Sequence, residues 1–219
     1  TYNIFGIYTY HDYLKFLYSY YNLRKFKELK QIDLHLSQSN YAFNYLKAYF
    51  KNLKFLSDYQ RDEILKSSKK LKKTKKNLIC YSSKSSEFIE SLKSNYNFEM
   101  IKLSGFNTKQ IIDIYKKTKV YLDFGYHPGK DRMPREAALF NNCIITNKKG
   151  SAKNKLDIPI NEKYKFEEKK KNLEKITKTI LNIFKNYQIE LKHFKKYKKI
   201  ILNEKKNFHK DLRKIFMKK

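Results

Sequence analysis

Apolar residues along the chain fall into three regimes, each predicting a different kind of structure. In the first, aromatic side chains crowd at Tyr8–Tyr13 and Phe16–Tyr21 without a clean strand or helix period, and we read a helix from about Tyr13 to Lys30. Ile32–Leu36 reads as a short buried strand. Ser37-Gln38-Ser39-Asn40 reads as a turn opening a helix that carries Tyr41, Tyr45, Leu46 and Tyr49, after which Phe55–Leu56 leads into Ser57-Asp58-Tyr59. In the second regime, short apolar runs alternate with helical stretches. Strands are predicted at Asn77–Tyr81, Phe98–Leu103, Val120–Phe124 and Cys143–Thr146, with helices at Glu87–Leu92, Gln110–Lys117 and Pro134–Phe140. Such alternation with short connections predicts an α/β fold whose parallel sheet is covered by helices on both faces. The right-handed crossover rule makes a Rossmann-like half the simplest topology. Asn107, three residues before Gln110, has the spacing of a capping box. In the third regime, Leu173, Ile176, Ile180, Phe184 and Tyr187 recur at three- and four-residue intervals, as do Phe194, Tyr197, Ile201, Phe208, Leu212 and Ile215. These are two amphipathic helices whose apolar stripes pack on the sheet domain.

Between the first two regimes stands Lys-Lys-Leu-Lys-Lys-Thr-Lys-Lys at 69–76, a charge block that fits an exposed linker. It divides the chain into an N-terminal segment (1–68), the linker (69–76), a Rossmann-like domain (77–166) and C-terminal helices (167–219). With 41% apolar residues the chain can build a core, which excludes a disordered basic tail. Lys+Arg 50 against Asp+Glu 21 gives +29, which draws the protein toward polyanions: nucleic acid, anionic lipid or phosphorylated small molecules. Only five of the cations are Arg, and the abundance of Lys, Asn, Ile, Tyr and Phe is also what an AT-rich genome produces. Cys80 and Cys143 each sit in an apolar run and read as buried free thiols of a reducing compartment, not as a disulfide or metal pair. No run approaches the ~18 apolar residues of a membrane span, no export signal is recognisable at Thr1, and the missing initiator Met points to residues before it. The expected location is the cytoplasm, with the Lys-rich helix faces free for an anionic membrane at its inner surface.

Candidate chemistry concentrates between Val120 and Phe166, which holds all three Pro, three of the five Gly and two of the five Arg. In an open parallel sheet the ligand crevice lies beyond the carboxyl ends of the strands, and Gly125–Met133 follows a strand and opens a helix there. Free N–H groups at that helix start suit a diphosphate. Gly129 permits close backbone approach, Pro134 suits a first helical turn, and Lys130, Arg132 and Arg135 supply positive charge. Glu136 either favours the helix dipole or accepts hydrogen bonds from a ribose. Lys149-Gly150-Ser151-Ala152 is a second small-residue turn, either plain or presenting Gly150 and Ser151 N–H groups to the same ligand. Lys84 follows the first sheet strand and is either an exposed lysine or a phosphate contact. His11, His35, His193 and His209 lack partner spacing, whereas His127 lies in the candidate loop. No GxSxG, HExxH, Walker A or CxxC pattern occurs.

The run Arg135-Glu136-Ala137-Ala138, followed by Cys143-Ile144-Ile145-Thr146 and Gly150-Ser151-Ala152, resembles the donor-binding half of GT-B glycosyltransferases of the large group-1/family-4 type. GKDRMPREAA, with DIPI and EKYKF downstream, is similar to members encoded among surface-polysaccharide genes, and His35–Ser39 with Leu56–Tyr59 resembles their interdomain segment. The resemblance spans roughly Asp33 to Phe166. It implies a hexosyltransferase-like enzyme that moves a sugar from a nucleotide-sugar donor to a glycan or lipid-linked acceptor. Glu136 would hold the ribose, Lys84, Gly129, Lys130, Arg132, Arg135, Gly150 and Ser151 would surround the diphosphate, and neither metal nor cofactor is needed. The family's earlier glutamate falls on Pro128, so Asp131 or His127 becomes the candidate catalytic or sugar-contacting group, and the second Gly of the closing turn is Ser151. Residues 1–68 are too few for a whole acceptor domain, which implies a donor half with a remnant of the other: a truncated chain, the product of a degraded gene, or a subunit completed by a separate acceptor-domain chain. Two rivals stand beside this reading. One is a basic nucleic-acid-binding module using the charge and the nineteen Tyr; the other is an inactive donor-half partner subunit.

Overall fold

Five parallel strands, side by side in the order 100–103, 76–82, 118–123, 143–147 and 165–166, form the centre of the protein, seen in a computed structural model that describes residues 29, 31–71, 74–85 and 87–217. The helix expected over Tyr13–Lys30 lies outside these residues apart from Leu29. The strands are β3 (Lys76–Ser82), β4 (Met100–Leu103), β5 (Thr118–Asp123), β6 (Cys143–Asn147) and β7 (Lys165–Phe166). They alternate with α3 (Glu87–Tyr96), α4 (Thr108–Lys117) and α5 (Arg132–Leu139). Because helices cover both faces, β3 and β5 need apolar residues at consecutive positions. Leu78, Ile79, Cys80 and Tyr81, and likewise Val120, Tyr121 and Leu122, are all buried. Burying each such aliphatic side chain is worth about 1.5–3 kcal/mol. This is a Rossmann-like α/β sheet. The two-residue strand β7 escapes the sequence pattern, being too short to show any.

Register assigns the faces. Tyr121, Asp123, Ile144, Thr146 and Lys165 share one side through the pairs Tyr121↔Ile144, Asp123↔Thr146 and Thr146↔Lys165. On that side Tyr115 of α4 stacks at 5.8 Å on Phe140, the residue that closes α5. On the other, Phe88 of α3 meets Phe124 at 5.2 Å and Phe98 meets Phe184 at 6.1 Å. The capping box forms as expected: the Asn107 side chain accepts from Gln110 N at 3.0 Å, and Gln110 Oε1 accepts from Asn107 N at 2.9 Å. It starts α4 at Thr108, two residues earlier than the apolar pattern suggests.

Ahead of this sheet, β1 (His35–Ser37), α1 (Asn40–Leu46) and β2 (Leu53–Phe55) make a small parallel β-α-β unit. The strand expected at Ile32–Leu36 is thus displaced toward the C-terminus, and β2 and α2 (Asp62–Ser67) were not foreseen. Asp157 ties this unit to the main sheet: its carboxylate accepts the backbone N–H groups of Asn40 (2.7 Å) and Tyr41 (2.8 Å) at the start of α1. The Lys69–Lys76 block is an exposed linker only in part. Lys75 turns inward and donates to the carbonyl oxygens of Tyr115 (2.6 Å) and Thr118 (2.7 Å), closing the amino end of the sheet. A continuous charge run hides this, because only the fold shows that Lys75 points in.

The C-terminal region forms α6 (Leu173–Lys185), α7 (Tyr187–Leu191) and α8 (Lys195–Phe216). Ile176 and Ile180 of α6 and Tyr197 and Ile201 of α8 enter the core, as the spacing predicts, joined by Ile183, which lies outside the predicted stripe. Cys80 and Cys143 are free and buried, and burial pushes both thiols up to about 12. Among the described residues, no helix is long and apolar enough to cross a membrane.

Candidate functional site

The chain leaves β3 toward β4 on one side and returns to β5 on the other, so the sheet's topological switch point lies between the carboxyl ends of β3 and β5. Two loops meet there, Ser83–Ser85 and Phe124–Asp131. Ser85 Oγ accepts the Phe124 N–H at 3.2 Å, and a Cβ on Gly125 would stand 3.0 Å from Lys84 Cβ and 3.2 Å from Lys84 O. Gly125 is therefore what lets the loops touch. The Lys84 side chain is exposed and engages no described carboxylate, leaving a free cation at the switch point.

The loop after β5 is organised around His127, which is fully buried. Its Nε2 lies 3.2 Å from Asp123 and its Nδ1 3.0 Å from Asp131, each four residues away. Burial alone would pull the imidazole down, but the two carboxylates more than reverse this and raise it to about 9. Tyr121 fixes Asp123 by donating to Oδ2 at 2.6 Å. These three side chains bring one potential metal-ligand atom each within 4.8 Å of one another. However, the ring sits between the carboxylates with a different nitrogen toward each, an arrangement that suits an imidazolium with one N–H on either side. Of the two candidate catalytic groups, His127 is sealed from ligand and positions the loop, while the Asp131 carboxylate is 24% exposed and accessible.

The Gly150–Ser151 turn holds this loop from below. Ser151 N donates to His127 O at 2.9 Å, and Ser151 Oγ donates to Gly129 O. Gly150 has φ +54, and a Cβ there would lie 2.0 Å from His127 O. Only glycine fits this position. The Ser151 amide expected to face a ligand is thus already engaged, and Gly129 meets Gln38 Oε1 at ordinary contact distance, 3.5 Å from where its Cβ would be.

Lys130 and Arg135, expected on the diphosphate, are compensated inside the protein. Lys130 Nζ lies 2.7 Å from Glu204 and 2.8 Å from Ser57 Oγ. Arg135, wholly buried, pairs with Glu204 at 2.9 Å and Asp58 at 2.7 Å and donates to Asp131 O and Lys130 O. Glu204 comes from α8 and Asp58 from the segment before α2. No local pattern announces either partner. Arg132 differs: its side chain is 62% exposed, with Asp58 no nearer than 3.8 Å.

The helix behind this loop starts at Arg132, two residues ahead of the expected Pro134, which places Glu136 in its second turn. Glu136 is buried, and burial raises its carboxyl above the usual range despite Arg61 at 3.9 Å. Its carboxylate takes no hydrogen bond among the described residues. Sequence reasoning also passed over Thr146 and Lys165, register partners on the Asp123 side of the sheet whose hydroxyl and ammonium are buried without a hydrogen-bond partner. Their signal, polar residues inside or beside apolar strand runs, was legible.

A cavity of about 410 Å³ lies at the opposite, amino-terminal end of the sheet, lined by Lys75, Lys119 and Tyr187 among others. Two of its three lysines, Lys75 and Lys119, already donate to the protein, Lys119 to Asn77 Oδ1 and Phe184 O, while Lys185 lies exposed at its edge. Searches against protein-family models, curated proteins and solved structures returned no match to this chain.

Proposed function

We propose that the protein is the donor-binding half of a GT-B-type glycosyltransferase, with a nucleotide-sugar seated at the switch point between β3 and β5. The observation that carries this reading is the meeting of the Lys84 and Gly125 loops at that point, flanked by the exposed cations Lys84 and Arg132 and the accessible Asp131. A departing nucleoside diphosphate develops negative charge, and fixed cations beside it lower the barrier without requiring a metal. Lys84 and Arg132 take this role, since Lys130 and Arg135 are neutralised by Glu204 and Asp58. Glu136, whose carboxylate takes no hydrogen bond among the described residues, is the acceptor for the ribose hydroxyls. Asp131 contacts the sugar, oriented by the buried His127. The acceptor is a surface glycan or lipid-linked glycan, bound with the help of a separate chain.

Thermal stability against a panel of UDP-, GDP-, ADP- and CMP-sugars tests the reading. Saturable stabilisation by one base class is expected, about 2.7 kcal/mol at a hundredfold excess over Kd, weakened in Glu136→Ala and Lys84→Ala. Absence of a shift with every nucleotide-sugar overturns it.

A further inference from the structure

The outward face of α8 carries Lys195, Lys199, Leu202, Lys206, Lys210 and Arg213, at intervals of four, three, four, four and three residues. This spacing aligns all six along one stripe, opposite the buried Tyr197, Ile201 and Glu204. All six are exposed. At about 1.5 Å per residue the stripe runs for roughly 27 Å. Among the described residues, the helix's ion pairs are made by Lys205 with Asp62, Lys214 with Asp211, and Glu204 with Lys130 and Arg135. The five cations of the stripe pair with no described carboxylate, so their charge is uncompensated. Leu202 stands among them 47% exposed, and Phe216 and Met217 continue the helix end at 58% and 71% exposure.

We propose that this face docks the protein on an anionic lipid surface, lying parallel to it with the lysines at the phosphates and Leu202 and Met217 among the acyl-chain carbonyls. Charge complementarity selects a polyanion, and the apolar residues within the stripe select lipid over nucleic acid, whose backbone offers nothing for Leu202 to enter. The docking face is independent of the donor site.

The chain contains no Trp, so Leu202→Trp supplies a single emission reporter. Its emission shifts to shorter wavelength with vesicles of phosphatidylcholine containing phosphatidylglycerol, and stays fixed with phosphatidylcholine alone. Lys199→Gln/Lys206→Gln/Lys210→Gln lowers partitioning on the order of 100-fold, at about fivefold per cation. Lys170→Gln/Lys171→Gln/Lys175→Gln, which removes the same charge from exposed positions elsewhere, retains it. All six positions are exposed and outside the core, and circular dichroism confirms that both variants keep the fold. Equal losses in the two variants overturn the proposal, because binding would then follow net charge alone. So does an emission shift of the Leu202→Trp variant with duplex DNA or RNA but not with the anionic vesicles.

Discussion

His127 shows how one side chain sets the shape of a loop. A neutral imidazole would leave the Asp123 and Asp131 carboxylates with no positive charge between them, whereas an imidazolium faces one nitrogen to each and offsets one of the two negative charges. Its ordinary value near 6.5 rises to about 9 in the fold. The stabilisation is therefore fully present below pH 6.5 and is lost as pH rises through about 9; a displacement of that size corresponds to about 3 kcal/mol. Burial pulls Lys75 and Lys165 down to about 7 and about 8, which works in the opposite sense. The readout is accordingly the stability difference between wild type and His127→Gln in urea titrations. That gap is widest near about pH 6 and narrows through about pH 9; a gap independent of pH would mean the imidazole is not the titrating group.

At the scale of elements, helix ends decide where the small N-terminal unit sits. α1 is too short to be stable by itself, and its first N–H groups are met by Ser39 Oγ, which accepts from Ala42 N, and by Asp157 from the connection between β6 and β7. Asp157→Ala removes the acceptor of two amides and costs about 1 kcal/mol or somewhat more. Hydrogen exchange at Asn40 and Tyr41 should accelerate while amides of β5 keep their protection, and Asp157→Asn should fall between the two. Unchanged exchange at Asn40 would show that Asp157 does not hold this helix. Ser39 was legible as a helix start because its role is local. Asp157, 117 residues from Asn40, was legible only as part of a motif with no assigned task.

For the whole molecule, the Glu204 carboxylate joins three parts of the chain: α8, the Lys130–Arg135 turn and, through Arg135, Asp58 in the segment before α2. Tyr59 against Phe208 at 5.1 Å continues the same seam. Removing one partner of a buried pair leaves an uncompensated charge. Glu204→Ala should therefore cost about 3–5 kcal/mol and lower the urea midpoint, with Arg135→Met in the same chain restoring part of it. Glu174→Ala, which breaks the exposed pair with Lys178, should leave the midpoint where it was. Equal effects of the two carboxylate substitutions would remove the seam from the account of stability.

The alternation of apolar runs from Asn77 to Thr146, the stripes of α6 and α8 and the Asn107–Gln110 box were all determined by the sequence itself. Each is a periodicity or a contact within one turn of chain, so neighbouring residues suffice to specify it. The Asp123-His127-Asp131 spacing belongs to the same class, although its partner Asp123 was hidden inside an apolar strand. The tertiary structure alone decided which cations stay exposed. Lys130 and Arg135 look like Arg132 and Lys84 in sequence, yet Glu204, 69 residues beyond Arg135, and Asp58 together neutralise the first two, while the others stay at the surface. It also turned Lys75 inward from a run of identical neighbours and paired β1 with β2. Local pattern fixes which face of an element is apolar; which charge meets which carboxylate depends on elements that only the packed sheet brings together.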